Sequence, residues 1–250
     1  LSAGYRKGEM ISSKTGLIYT YAIYLIGKQD YNIDSFTLRK IVAKWYFMTA
    51  LTARYSSSPE TKMERDLNNL RNLRTAAEFI DYLDSTIKDT LTDDFWSITL
   101  PNNLATTSAR GPSLFAYYAS LNLLDAQGLF SNIKISELLE AGLKANKSAL
   151  ERHHLYPKAY LERIGISEQR DQNQIANYAL VEWSTNIAIN DTSPEEYFDK
   201  YSRMFTNDEM QKMMHFHALP CGWEKMDYFE FLANRRRLIA GLIHEGFEKL

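Results

Sequence analysis

Apolar residues recur at intervals of three and four positions along most of the chain, which is the spacing of an amphipathic helix. The clearest pattern begins at Asp34. It comprises Phe36, Leu38, Ile41, Val42, Trp45, Met48, Ala50 and Leu51. Ser58 and Pro59 then predict the start of a second helix, because Ser caps helices and Pro suits the first helical position. That helix is expected to continue over residues 64–74.

Further helical patterns follow this region. The predicted helices cover residues 75–83, 91–96, 113–127, 135–143, 208–216 and 228–250. Gly128 is the expected C-cap of the third of these, since Gly adopts the left-handed conformation that ends many helices. The chain is therefore predicted to be mainly α-helical.

Two short runs have the composition of strands instead. Residues 149–155 and 178–185 are predicted to pair as a two-stranded ribbon. The fold class expected is a helical body with an inserted small ββα element. We divide the chain into a helical domain over 1–145, the ββα element over 146–206, and C-terminal helices over 207–250 that pack on the body.

Composition limits the classes of function. Net charge is −2, and residues 151–186 carry four basic and five acidic side chains, so charge alone does not indicate nucleic-acid binding. One cysteine, Cys221, excludes an internal disulfide and a multi-cysteine zinc site and fits a cytoplasmic location. No apolar run reaches the roughly 20 residues of a membrane span. Because the chain begins with Leu1 and shows no signal peptide, we expect it to belong to a longer protein.

The candidate chemistry starts with two adjacent histidines, His153 and His154, just before Pro157. Adjacent side chains on a regular strand point to opposite faces, but at a strand end, where Pro forces a turn, the pair can splay differently. One imidazole can then bind a metal. The other, with an unperturbed pKa of about 6.5, can take a proton from water near neutral pH.

Two asparagines complete the pattern, Asn177 and, nine positions later, Asn186. A carboxamide offers a neutral oxygen to a hard cation, or fixes a loop by hydrogen bonding to backbone. A helix is expected to follow, because Ser193, Pro194 and Glu196 suit the N-cap, N1 and N3 positions.

Several of these residues have alternative interpretations. Asn173 is a rival of Asn177, although it breaks the nine-residue spacing to Asn186. Asn177 can instead be a turn residue ahead of a strand, and Asn186 can merely end the second strand. Glu151 lies on the His153 side of a regular strand, so it is a possible ligand or a carboxylate that orients an imidazole. His215 and His217 are interpreted as ordinary structural histidines, because helical residues two apart face apart. The run 235–237 is either a solvated helix face or a phosphate contact.

These residues resemble the His-Me finger, or HNH, nuclease motif. By that resemblance His153 is the first metal ligand, His154 the general base, Asn177 the residue that pins the loop carrying the base, and Asn186 the last metal ligand. More narrowly, RHHLYPKAYL, NQIANYALVEWSTN and DTSPEEY resemble the nuclease end of GmrSD-type modification-dependent restriction enzymes. The run 44–60 and FLANRR near the C-terminus resemble the helical regions of that family.

The resemblance implies a DNA endonuclease in restriction or phage defence that uses one divalent ion, Mg²⁺ or Mn²⁺. Lys158, Arg235 and Arg236 are the expected substrate contacts. The resemblance also implies an N-terminal nucleotide-hydrolysing domain as partner. No GxxxxGK[ST] loop occurs in these 250 residues, so we expect that domain to be missing from this chain. Relatives commonly carry Lys or Arg after the last ligand, where this chain has Ile187. The alternative is a non-catalytic helical module that binds nucleic acid or protein through a degenerate site.

Overall fold

The computed structural model of the chain describes residues 2–139 and 150–250, which form a mainly helical protein. Its described helices are α1 (Lys14–Gln29), α2 (Ser35–Leu51), α3 (Pro59–Arg71), α4 (Ala76–Thr90), α5 (Leu100–Asn103), α6 (Pro112–Leu123), α7 (Ile135–Leu139), α8 (Lys158–Arg163), α9 (Gln169–Gln172), α10 (Trp183–Ile189), α11 (Pro194–Ser202), α12 (Asn207–Phe216) and α13 (Tyr228–Glu248). A π-helical turn, Phe95–Thr99, precedes α5. Within the described ranges, no helix has the length and apolar composition to cross a membrane.

Two strands, β1 (Leu150–His154) and β2 (Tyr178–Glu182), pair as a small antiparallel sheet. This confirms the prediction of a mainly helical chain with one two-stranded ribbon. The second strand is shorter than predicted, because the chain turns into α10 directly after Glu182. Asn186 therefore lies on a helix and does not end a strand.

Helix α2 is the centre of the N-terminal body and packs against α1, α4 and α6. Its predicted start is confirmed, since the Asp34 carboxylate accepts hydrogen bonds from the backbone N–H groups of Phe36 and Thr37. Trp45 and Phe47 are completely buried on it. Most of the predicted apolar stripe of α2 thus lies in the core, but Phe36 at its start is 79% exposed and Ala50 is only partly buried.

Helix boundaries differ from the prediction in several places. Helix α6 ends at Leu123, because Asp125 adopts a positive φ of 56° and takes the chain out of the helix before Gly128. Gly128 is therefore not its C-cap. Helix α3 ends at Arg71, α4 extends to Thr90, and α1 forms in a run where the pattern predicts no element. Of the predicted helix 135–143, residues after Leu139 lie outside the described ranges, as does the proposed domain boundary at 145.

A buried ion pair joins α3 to the turn before it. The Asp66 carboxylate is 1% exposed and accepts two hydrogen bonds from the Arg54 guanidinium, at 3.0 and 2.8 Å. The Tyr55 hydroxyl donates a third, at 2.9 Å. Charge and hydrogen-bonding capacity are thus matched inside the helical body, as burial of a carboxylate requires.

Helix α13 packs against α6 and α5. The approach to α6 is close at Gly246, where a Cβ atom would stand 2.4 Å from Cβ of Ser120. Only Gly fits there. The N-terminal end of α13 reaches the sheet region through an aromatic cluster, in which the Tyr156 ring contacts those of Tyr228 and Phe231, at centroid distances of 5.2 and 4.8 Å. The C-terminal helices thereby support the turn that follows β1.

Candidate functional site

The sheet register decides which side chains meet. His153 pairs with Ala179 and His154 with Tyr178. The strand alternation puts Glu151 and His153 on one face, and α10, which starts immediately after β2, brings Asn186 to that face. Ser193 caps α11 as predicted, accepting a hydrogen bond from the Glu196 N–H at 3.3 Å.

A chain of hydrogen bonds connects His153, Asn186 and Glu151. Nδ1 of His153 lies 2.9 Å from Oδ1 of Asn186, and Nδ2 of Asn186 donates to Oε2 of Glu151 at 2.7 Å. A carboxylate only accepts, so it fixes the Asn186 amide with the NH₂ group toward Glu151 and the oxygen toward His153. The structure thus brings together the two residues predicted to bind the metal, with Glu151 as their orienting partner.

Burial determines the charge state of His153. Its side chain is 3% exposed, and loss of hydration lowers its pKa to about 4. Nε2 is buried and has no hydrogen-bond partner among the described residues, while the ring contacts Tyr197 edge-on at 5.6 Å. His153 is therefore neutral near pH 7, which is the form that binds a metal.

His154 points elsewhere and has different partners. Its Nε2 lies 3.2 Å from Oδ1 of Asn173, which also accepts a hydrogen bond from the Tyr178 hydroxyl at 3.2 Å. Since that amide oxygen only accepts, His154 carries its proton on Nε2 and leaves Nδ1 as the basic nitrogen. Burial lowers the pKa of His154, and the positive charges of Lys158 and Arg152 lower it further.

Asn177 is completely buried and holds the turn after β1. Its Oδ1 accepts from the Tyr156 N–H at 2.8 Å, and its Nδ2 donates to the carbonyl oxygens of Tyr156 and Gln172, at 3.0 and 3.1 Å. Its own carbonyl accepts from the Leu155 N–H at 2.8 Å. Between the rival asparagines, Asn177 contacts the backbone of the loop and Asn173 contacts the His154 ring.

A cleft of about 260 Å³ opens on this cluster. The residues that line it include His153, His154, Lys158, Asn186, Asn190 and Asp191. Lys158 is exposed at the start of α8, where Pro157 ends the extended segment. Both histidines, Asn186 and the predicted phosphate contact Lys158 thus share one solvent-accessible space.

The arginines of the run 235–237 lie in different surroundings, because successive residues of α13 face different directions. Arg235 is completely buried and donates to the carbonyl oxygens of His217, at 3.1 and 2.9 Å, and Ala176, at 2.7 Å. The prediction that Arg235 contacts substrate is therefore wrong, because its guanidinium is enclosed and its donors are used by backbone. Its contact with Ala176 instead supports the segment next to Asn177. Arg236 lines a different cavity from the histidines.

The other histidine pair has separate surroundings. His217 is buried, with Nε2 bound to the carbonyl of Gln127 at 3.0 Å, whereas His215 is exposed and pairs with Glu245 at 2.9 Å. The two rings do not share a partner, in line with the structural interpretation.

The donor atoms around His153 fit a hard divalent cation. Nδ1 of His153 and Oδ1 of Asn186 are 2.9 Å apart because Nδ1 donates a hydrogen bond to the amide oxygen. To hold a cation with both atoms, the His153 proton would move to Nε2, which leaves Nδ1 with a free lone pair beside the amide oxygen. The described part of the chain contains no group of three or more His, Cys, Asp or Glu side chains arranged to hold a metal. An ion here would therefore depend on one imidazole and one amide oxygen, supplemented by water and substrate oxygens.

Sequence reasoning identified Glu151 as a candidate but left open whether it is a ligand or an orienting carboxylate. Its strand position was the available signal. The contact of Asn173 with His154 had no sequence signal, because it depends on how α9 returns to the sheet. Comparisons with protein-family models, with curated proteins and with solved structures found no match to this chain.

Proposed function

We propose that this protein is a metal-dependent DNA phosphodiesterase of the HNH type. The observation that supports it best is the convergence of Nδ1 of His153 and Oδ1 of Asn186, 2.9 Å apart, in a cleft that His154 and Lys158 also line. A neutral imidazole and a neutral amide oxygen can bind a divalent ion, a second imidazole can act as a general base, and a lysine can contact a phosphate, which together suit hydrolysis of a phosphodiester. The order β1, β2, α10 around them agrees with a ββα element.

His154 acts as the general base in this proposal. Its unprotonated Nδ1 takes a proton from a water molecule, and the resulting hydroxide attacks phosphorus in line with the leaving 3′-oxygen. The P–O3′ bond breaks, and solvent protonates the 3′-oxygen. Asn173 keeps the proton of the resting imidazole on Nε2. Burial keeps the ring neutral and ready to accept the proton at neutral pH.

His153 and Asn186 would hold the divalent ion, Mg²⁺ or Mn²⁺. When bound, the ion supplies positive charge against the charge that develops on the phosphate and the leaving oxygen. Glu151 orients the Asn186 amide, and Asn177 holds the turn that carries the base. Lys158 adds positive charge in the same cleft, which offsets the absence of Lys or Arg after Asn186.

Plasmid nicking tests this proposal. Wild-type protein, His154→Ala and His215→Ala are incubated with plasmid and Mg²⁺ or Mn²⁺, with EDTA as a further control. We expect His154→Ala to lower the cleavage rate by about 10²- to 10⁴-fold, the usual contribution of a general base. His215→Ala removes an exposed histidine outside the cleft and should cut normally.

Metal titration is the second part of the test. Mn²⁺ binding followed by calorimetry should disappear in His153→Ala and in Asn186→Ala and persist in His154→Ala. Undiminished nicking by His154→Ala would overturn the assignment of the base. Lost binding in that variant would contradict the division of roles between the histidines.

The non-catalytic alternative is favoured by the acidic excess of residues 151–186 and by the apolar Ile187 after Asn186. It predicts saturable DNA binding without metal-dependent nicking. The resemblance also adds an upstream nucleotide-hydrolysing domain as partner to the enzyme proposal. Adding NTP to the 250-residue chain alone should then leave nicking unchanged, since this chain lacks a GxxxxGK[ST] loop.

A further inference from the structure

A second cavity, of about 500 Å³, lies apart from the histidine cleft. Its lining includes Thr106, Arg170, Asp171, Gln174, Phe229 and Arg236. It thus combines two guanidinium groups, one carboxylate, polar groups and an aromatic ring.

Arg236 is incompletely satisfied in this cavity. Its side chain is partly buried, its Nε is buried without a hydrogen-bond partner, and no ion pair to it is found among the described residues. Burial lowers its pKa, opposed by Tyr228. The preceding Arg235, in contrast, donates to two carbonyl groups. A cation that is partly removed from water without an acceptor is costly, and an anion in the cavity would offset that cost.

Arg170 provides a second cation at the same cavity. Its side chain is 83% exposed, and its contact with the neighbouring Asp171 is long, at 3.4 Å. An exposed pair of this kind is weak, so Arg170 can turn toward a ligand. Phe229 is 49% exposed beside these arginines, which places a flat apolar surface next to two positive charges. Phosphate and an adjoining sugar or base match this combination.

The segment 169–177 connects the cavity to the histidine cleft. Arg170 and Gln174 line the cavity, while Asn173, between them, contacts His154. The Ile175 N–H donates to the carbonyl of Thr106 at 2.9 Å, which ties the far wall of the cavity to the same segment. A ligand in the cavity therefore lies against the segment that orients the proposed base.

We propose that Arg170 and Arg236 bind a backbone phosphate of the DNA at a position away from the bond that is cut, with Phe229 against the adjacent nucleotide. This inference rests on the proposed function in taking the anion to be a DNA phosphate. It supplies positive charge that the segment 151–186 lacks overall.

Fluorescence anisotropy with labelled oligonucleotides tests the cavity, in EDTA so that nothing is cut. Arg170→Gln and Arg236→Gln should each weaken binding about tenfold, the expected effect of losing a charged contact. The double variant, in which the phosphate contact is lost altogether, should reduce the slope of log affinity against log salt concentration by about 0.9 on duplex DNA. Arg237→Gln is the matched control, because Arg237 is the next residue of α13, is exposed and does not line the cavity.

Phe229→Ala should affect the binding of single-stranded and of duplex DNA differently. It should weaken binding of a single-stranded oligonucleotide more than that of a duplex, since an unpaired base can stack on the ring. Thermal melting of each variant checks folding, and the exposed Arg170 allows a test even where Arg236→Gln is unstable.

Equal affinities of wild-type protein, Arg170→Gln and Arg236→Gln would overturn the inference, as would an equal loss in Arg237→Gln. So would the absence of measurable DNA binding by the wild-type protein. Because the assay contains no free divalent ion, its result does not depend on His153 and Asn186. If the protein failed to bind Mn²⁺ but its DNA affinity depended on Arg170 and Arg236, the proposed enzyme would be wrong and this inference would stand. If it bound Mn²⁺ but its DNA affinity did not depend on the two arginines, only this inference would be wrong.

Discussion

Two buried polar clusters of this protein differ in how many of their hydrogen-bonding groups have partners. In the helical body, Asp66 is enclosed and receives donors from Arg54 and Tyr55. Beside the sheet, His153 is equally enclosed, but its Nε2 has no partner and its Nδ1 faces an amide oxygen at the edge of a cleft.

Polar groups whose hydrogen bonds are all made within the protein stabilise the fold, whereas groups that lack a partner can still bind a ligand. Donors and acceptors around Asp66 match one another, so nothing is left for a ligand to satisfy. Around His153, Nδ1 donates to the Asn186 oxygen, Nε2 has no partner among the described residues, and the pair lies beside a cleft that a small ion or water can enter. Incomplete satisfaction of buried polar groups is a mark of functional sites.

Removing the Asp66 carboxylate should have the largest effect. Asp66→Ala leaves the Arg54 charge without its partner, and we expect the free energy of unfolding to fall by about 3–5 kcal/mol, as for other broken buried pairs. Urea denaturation measures this. Asp84→Ala, which breaks the exposed pair with Lys88, is the control and should leave stability unchanged. A similar loss in both variants would contradict the contrast between enclosed and open clusters.

The same contrast between structural and open polar groups can be tested within the candidate site, at Asn177 and Asn186. Asn177→Ala leaves the Tyr156 N–H and two carbonyl groups without partners, so we expect a loss of about 2–3 kcal/mol of unfolding free energy. Asn186→Ala removes a partly exposed side chain and should cost little stability while abolishing Mn²⁺ binding. Parallel denaturation and metal titration separate the two outcomes. Equal destabilisation by both changes would assign Asn186 a structural role.

Glu151 tests whether orientation or charge matters beside His153. Glu151→Ala frees the Asn186 amide, and Mn²⁺ affinity should fall about 10- to 100-fold, the usual cost of losing a partner that orients a ligand. Glu151→Gln retains an acceptor oxygen for Nδ2 of Asn186 and should stay closer to wild type. If Gln were as damaging as Ala, the carboxylate would act through its charge or bind the ion directly.

Acid should lower the stability of the protein gradually, because two of its histidines are buried. His153 and His217 have their pKa values lowered by burial to about 4, below the unperturbed value of about 6.5. The unfolded chain therefore takes up protons below pH 6.5 that the folded chain refuses, so stability falls as pH decreases from about 6.5 to 4. Each histidine contributes at most about 1.4 kcal/mol per pH unit. His217→Gln should flatten the dependence seen in denaturation curves, and an unchanged slope would contradict burial as the cause.

Local patterns predicted much of this fold. The starts of α2 and α11 follow from the caps Asp34 and Ser193, and the two strands follow from short runs of strand-forming residues. The start of α3 at Pro59 agrees with Pro at the first helical position, but Ser58 has a φ of 48° and makes no capping hydrogen bond. Helix ends were predicted less well. The end of α6 at Leu123 depends on the backbone turn at Asp125, which apolar periodicity does not encode.

The sequence predicted which residues belong to the candidate site. The contacts between them depend on how neighbouring helices pack against the sheet. Adjacent histidines before a proline indicated His153 and His154, and the resemblance to the HNH motif indicated Asn186. Glu151 contacts the Asn186 amide because α10 follows β2 without a linker. Asn173 contacts the ring of His154 because α9 lies beside the sheet.

By itself, the sequence determined the mainly helical class and most helix starts, because propensity, capping and periodicity act over a few neighbouring positions. Only the tertiary structure decided which polar groups are enclosed and which remain open. Arg235 and Arg236 are neighbours of identical chemistry, but one helical step turns the first into the interior, where carbonyl oxygens satisfy it, and the second toward a cavity. Burial is a property of the packed surroundings, and those come from residues far apart in the chain.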